Sequence, residues 1–161
     1  PLRAAEDREA LIEGLADGSV DVIATDHAPH HADEKMSEFD RAPFGIVGLE
    51  TAVPIVFQQL VHTGHISLTR MVELLSVNPA KVMHVPGGAL NEGAPADITI
   101  LAPDRAVTVD ASALKSKSKN TPFDRWQMTG AVVATIVGGR VLYRASSTEP
   151  PDRTAGRGLT T

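Results

Sequence analysis

Residues 19–26, SVDVIATD, carry apolar side chains on nearly both faces, through Val20, Val22, Ile23 and Ala24. A strand with one face in water alternates apolar and polar residues, whereas one covered on both sides reads as a continuous apolar run. Residues 5–18, AEDREALIEGLADG, come directly before it and read as a helix. Glu6 and Asp7 suit its positive N-terminal end, Leu11, Ile12 and Leu15 share a face, and Gly18 is a natural stop. A helix feeding a doubly covered strand predicts an α/β fold with a parallel sheet.

The strand runs straight into DHAPHHADEK, which holds three of the six histidines of the chain behind an aspartate. An acid at the C-terminal end of a buried parallel strand stands where α/β barrels and open α/β sheets place their chemistry. Asp26 holds that position. Its carboxylate can bind a metal through one oxygen and shuttle a proton through the other. A solvated polar loop is the competing reading, and the pattern alone favours neither. His30, in the loop, can donate a hydrogen bond to an anionic ligand. Side-chain directions alternate or scatter along such a segment, so His27, His30 and His31 cannot all face one metal. His27 is expected to support a ligand from behind or to be structural, and His31 to be solvated. A self-contained zinc site from Asp26, His30, Asp33 and Glu34 asks a loop to preorganise hard ligands, which loops rarely do. His62, His65 and His84 fall at helix ends and require no functional role. There is neither a nucleophile elbow nor a Walker phosphate loop.

Further along, residues 31–48 are rich in charge, proline and glycine, and 31–43 give no strong secondary-structure signal. In GLETAVPIVFQQLVHTGH the apolar positions Leu49, Ala52, Val53, Val56, Phe57, Leu60 and Val61 form one helical stripe ending near Gly64. Pro54 fits only near its first turn. Ser67 can cap a second helix with Leu68, Met71, Val72 and Leu75 on one face, and residues 78–85 read as a short turn opening on Pro79. The texture changes at 86–97. Beyond it lie short β-rich runs, 97–101, 106–110 and 131–144, the last a hairpin across Gly138-Gly139. Three segments result: 1–88, 89–145, and a tail, 146–161, with little to anchor it.

The 161 residues suit one domain or slightly more. A net charge of −5 and the lack of a basic run argue against nucleic acid and anionic membranes as partners. Zero cysteines exclude thiolate ligands and a cysteine nucleophile, so any metal must sit on histidine and carboxylate, and they fit a cytoplasmic protein. No apolar run approaches the ~20 residues of a membrane span.

The motifs IATDHAPH (23–30), EK (34–35), APFGIVGLET (42–51), NPAKV (78–82), EGAPADITI (92–100) and SKSKNTPF (116–123) together resemble the dihydroorotases of the amidohydrolase superfamily. Hydantoinases, dihydropyrimidinases and allantoinases share the ADI segment but match the TDHAPH and APFG stretches less well. The resemblance implies the C-terminal part of a (β/α)8 barrel, with 20–26 as its last strand and the helices at 49–62 and 68–76 closing it. Residues 89–144 would add strands to a small β-sandwich. It also implies zinc, one or two ions per complete site, with Asp26 as ligand and catalytic acid/base. His30 would contact the substrate carboxylate, and Phe44 and Gly45 would line the pocket through backbone groups. The implied reaction is reversible hydrolysis of the cyclic amide of dihydroorotate to N-carbamoyl-aspartate, in pyrimidine biosynthesis. The loop 31–43 would order over the substrate.

The family's H-x-H and its other metal ligands have no counterpart here. A barrel spends roughly 30 residues per βα unit, so the residues before 89 make two to three units. With Pro1 in place of an initiator methionine, the expectation is part of a longer enzyme or half of a split one, completed by an N-terminal barrel segment. The alternative is a non-catalytic relative kept for assembly, as a homo-oligomer or beside a carbamoyltransferase.

Overall fold

The computed structural model describes residues 3–146 of the chain; beyond its first residue, the tail expected at 146–161 lies outside them. Helix α1, Ala5–Asp17, forms where the sequence places it. The Asp7 carboxylate accepts from the Ala4 N–H at 3.3 Å, and Gly18 closes the helix in the left-handed region at φ 93°. Ile12 and Leu15 turn to the core, whereas Leu11 is 55% exposed.

The expected strand at 19–26 forms no ladder. A parallel strand needs a neighbour delivered by a crossover, and none of the described strands runs beside it. Its polar backbone is instead satisfied by helices. The Val20 N–H donates to Gly14 O at 2.9 Å and the Ile23 N–H to Leu74 O at 3.1 Å. Arg70 Nη2 donates to Val20 O and Asn78 Nδ2 to Asp21 O, each at 3.0 Å. Ile23 reaches the core, while Asp21, Ala24 and Asp26 are exposed. The segment is covered on one side, not two.

Between it and the next long helix lies a short one, α2, Ala32–Lys35. Helix α3, Ala52–Val56, continues as a π-helical stretch, Phe57–Val61, with Pro54 in the first turn as its missing N–H requires. Ser67 caps α4, Leu68–Val72, through the Arg70 N–H at 3.0 Å. A second π-helical stretch, Glu73–Val77, leads into α5, Asn78–Met83, with Pro79 in its first turn. The core is the seam between these two helical runs: Val56, Phe57, Leu60, Ile66, Met71 and Leu74. The stripes foreseen from the sequence are shifted at their margins, with Leu49, Leu68 and Val72 exposed.

Strands β1 (Ile98–Thr108), β2 (Gln127–Val137) and β3 (Arg140–Arg144) form an antiparallel sheet in the order β1-β2-β3. The two runs expected at 97–101 and 106–110 merge into β1, bent by irregularities after Ile100 and Ala102. Gly138 and Gly139, at φ 54° and 75°, make the tight turn into β3. Among the described residues no helix is long and apolar enough to cross a membrane.

Sheet and helices meet most closely at Gly130. A Cβ on Gly130, in β2, would stand 2.3 Å from Cγ of Phe57, a fully buried side chain, and Gly130 itself has φ 109°. We expect Gly130→Ala to destabilise by about 2–4 kcal/mol through overpacking and backbone strain. Gly64→Ala, with nothing within 4 Å, should cost only the left-handed backbone term of roughly 1–2 kcal/mol. Urea midpoints measure both. Equal losses would mean that the close approach to Phe57 carries no energy.

Candidate active-site loop pair

Two loops lie against each other, 25–30 after the unpaired segment and 43–48 before α3. The Ala28 N–H donates to Ile46 O at 2.9 Å, and the Gly48 N–H donates to His27 Nδ1 at 3.1 Å. His27 thus ties the two loops together, and because its Nδ1 accepts, the ring proton sits on Nε2. Glycine is required where the loops touch. A Cβ on Gly45 would lie 2.5 Å from Ala28 Cβ and 3.5 Å from His30 Nε2, and its φ is 111°.

Asp26 is the one non-glycine residue of this pair in the left-handed region, at φ 45°. Aspartate tolerates that conformation better than most residues, at a cost of order 1 kcal/mol. Its side chain is exposed, and among the described residues no group donates to its carboxylate. His30 is partly covered, with its Nδ1 3.5 Å from Glu34 Oε2. That leaves the Nε2 edge on the Gly45 side. No hydrogen bond or ion pair joins Asp26 to His30.

The segment 31–43, for which the sequence offered no structure, contains α2. His31 caps it: its Nδ1 accepts from the Asp33 N–H at 3.3 Å, and Glu34 Oε2 accepts from the His31 N–H at 3.2 Å. This is a capping box with histidine in the usual serine place, and Asp33, Glu34 and Lys35 complement the helix dipole. The H-A-D-E spacing was a legible signal for it. His31 is otherwise solvated, at 72% side-chain exposure. Among the described residues no three His, Asp or Glu side chains converge as a metal site, so the Asp26, His30, Asp33 and Glu34 grouping does not assemble.

Two residues missed as individuals hold the second loop. Lys35 Nζ donates to Pro43 O at 2.6 Å and to Gly45 O at 2.9 Å. Asn120 Nδ2 donates to the same Gly45 O at 2.9 Å, and Asn120 O accepts from the Val47 N–H at 2.9 Å. Asn120 comes from the β1–β2 connection, 109–126, which also donates its Lys115 N–H to Glu50 Oε1 at 2.7 Å. Phe44 is 86% exposed, so its ring is not what anchors the loop. Beside His30 a cavity of about 570 Å³ is lined by Pro29, His31, Ala32 and residues 116–118.

The amidohydrolase family model matches residues 2–142. The chain is 51% identical over 144 residues to a dihydroorotase of Brevibacillus brevis, covering 89% of this chain and 34% of that protein. To a dihydroorotase of Halalkalibacterium halodurans it is 50% identical over 143 residues, covering 89% and 33%. It thus spans about a third of the length of the curated relatives it matches. Among solved structures, an L-hydantoinase (dihydropyrimidinase) from Arthrobacter aurescens superposes with a TM-score of 0.82 at 37% identity, over 89% of this chain and 33% of that one. A D-hydantoinase from Bacillus sp. AR9 gives 0.80 at 27%, with the same coverage of each chain.

We expect Gly45→Ala to push the loops apart and to speed amide exchange at Ala28 and Gly48, whose N–H groups bridge them. Adding Ala28→Gly should recover part of the protection. Unchanged exchange in the single variant would mean the loops do not depend on this contact.

Proposed function

The chain belongs to the amidohydrolase family, and from that premise we propose that it supplies the acid/base and part of the substrate pocket of a dihydroorotase. In this reading residues 1–88 end a (β/α)8 barrel, 89–145 contribute strands to a small β-sandwich, and an N-terminal barrel segment completes both. The observation that carries the reading is the strained backbone at Asp26, in the same loop that seats the His30 ring against Gly45. Left-handed non-glycine residues concentrate at functional sites, where the surrounding structure holds them.

The chemistry of Asp26 suits a metal ligand. Its carboxylate is exposed and without a donor among the described residues, and zinc takes such oxygens alongside histidine nitrogens. A single carboxylate does not make a zinc site, so the remaining ligands come from outside the described residues. Zinc, when bound, supplies Lewis acidity and a water activated near neutral pH. Asp26 takes the proton of the attacking water and delivers it to the departing amide nitrogen, so one group serves as base and then acid. His30 Nε2 donates to the substrate carboxylate on the Gly45 side. The products are the open-chain ureido acid in the hydrolytic direction, and ring closure is the reverse.

A second reading, a hydantoinase-type cyclic amidohydrolase, is favoured by the solved structures with which the chain superposes. The two differ in whether the ring carries a carboxylate. In the full-length protein we expect Asp26→Asn to lower kcat by about 10²–10⁴ with unchanged circular dichroism; near-normal turnover would remove Asp26 from the mechanism. His30→Ala should raise KM for dihydroorotate while leaving that for dihydrouracil, which lacks the carboxylate, unaltered. A preference for dihydrouracil in the unaltered protein would replace the first reading with the second.

A further inference from the structure

We infer that Lys35 and Asn120 are positioning residues that present the peptide between Phe44 and Gly45 to the substrate. The inference rests on the dihydroorotase reading above but concerns residues that the reading does not use. Lys35 Nζ takes the two carbonyls flanking that peptide, Pro43 O at 2.6 Å and Gly45 O at 2.9 Å. Asn120 Nδ2 fills the second lone pair of Gly45 O at 2.9 Å, and its backbone oxygen takes the Val47 N–H at 2.9 Å. The Ala28 N–H takes Ile46 O at 2.9 Å. Every carbonyl around the peptide is thereby committed to protein. The Phe44 C=O and the Gly45 N–H of the peptide itself have no partner among the described residues, and neither do the neighbouring N–H groups of Phe44 and Ile46.

That pattern has a physical consequence. With the carbonyls on both sides of it tied, that peptide keeps its own donor and acceptor open and can serve as a binding edge for a polar ligand. Gly45 lies in the left-handed region at φ 111°, so without the clamp the peptide is free to flip. The ammonium of Lys35 is half-buried and makes charge-assisted bonds. It fixes the peptide by drawing both neighbouring carbonyls to one side. Asn120 ties the same oxygen to the β1–β2 connection, so the sheet segment takes part in the site.

The test uses the full-length protein with Lys35→Met, Lys35→Arg and Asn120→Asp, reading kcat and KM for dihydroorotate together with amide exchange at Ile46 and Val47. Lys35→Met and Asn120→Asp should each raise KM about tenfold or more, the worth of a charge-assisted or doubly shared bond, with kcat changed less. Both should speed exchange at Val47. Lys35→Arg, which keeps two donors, should recover most of the loss. KM values and exchange within twofold of the unaltered protein in both variants would overturn the inference. So would an equal loss in Lys35→Arg and Lys35→Met. If either variant does not fold, the other and the exchange measurement still decide. A protein that turns over no dihydroorotate even when unaltered would overturn the functional reading instead, and exchange at Val47 would still judge the clamp.

Discussion

Phe57 is the joint of the molecule. Its ring is fully buried and lies against the bare backbone of Gly130, closer than any side chain at that position would allow. Through this contact the helical seam and the sheet share one packed interior, and Leu101 of β1 extends it. His62, one turn on, stacks against Phe57 with ring centroids 5.7 Å apart and bonds Pro103 O at 3.1 Å, so the same helix grips β1 as well. Close packing of this kind does not deform continuously. It therefore fixes the sheet against the helical run, and the connection between β1 and β2 takes its path from a sheet held in this way.

That path matters because the connection returns to the candidate site. Residues 109–126 are far longer than a hairpin turn needs. Their local order comes from Asp110, whose carboxylate accepts from both the backbone N–H and the hydroxyl of Ser112. These bonds hold its carboxyl below the usual range, the hydroxyl contributing most. Phe123 and Trp126 then pack edge to face at 5.2 Å. Between these two fixed ends Asn120 reaches Gly45 and Val47. A chain of contacts thus runs from the core, through the sheet, to a loop that touches His30.

The two left-handed residues of the loop pair have opposite characters. At Gly45 the conformation is free of strain because there is no Cβ, and the space is needed by Ala28. At Asp26 the conformation is retained against a cost, and the carboxylate it carries is left without a donor among the described residues. Steric need explains the first. Steric need does not explain the second, which is why the acid and not the histidines anchors the functional proposal.

Much was legible from residue order alone. Helix α1 and its Gly18 stop, the cap at Ser67, the placement of Pro54 and the Gly138-Gly139 turn all follow from local rules of dihedral angle and hydrogen-bond satisfaction, which do not depend on distant partners. Asp26 and His30 were equally readable as candidates, because an acid and a histidine directly after an apolar run are a local signal, whereas Gly45 was named only through the family resemblance. The strand state of 19–26 was not, since a parallel strand exists only beside a neighbour and the apolar run is satisfied here by α1 and α4. Nor were Lys35 and Asn120 as partners on one oxygen, for they stand far apart in sequence. Sequence alone thus determined which groups can do chemistry and where the chain must turn. Only tertiary structure decided which of those groups meet, because contacts across long separations depend on the packing of Phe57 against Gly130 rather than on any neighbouring residue.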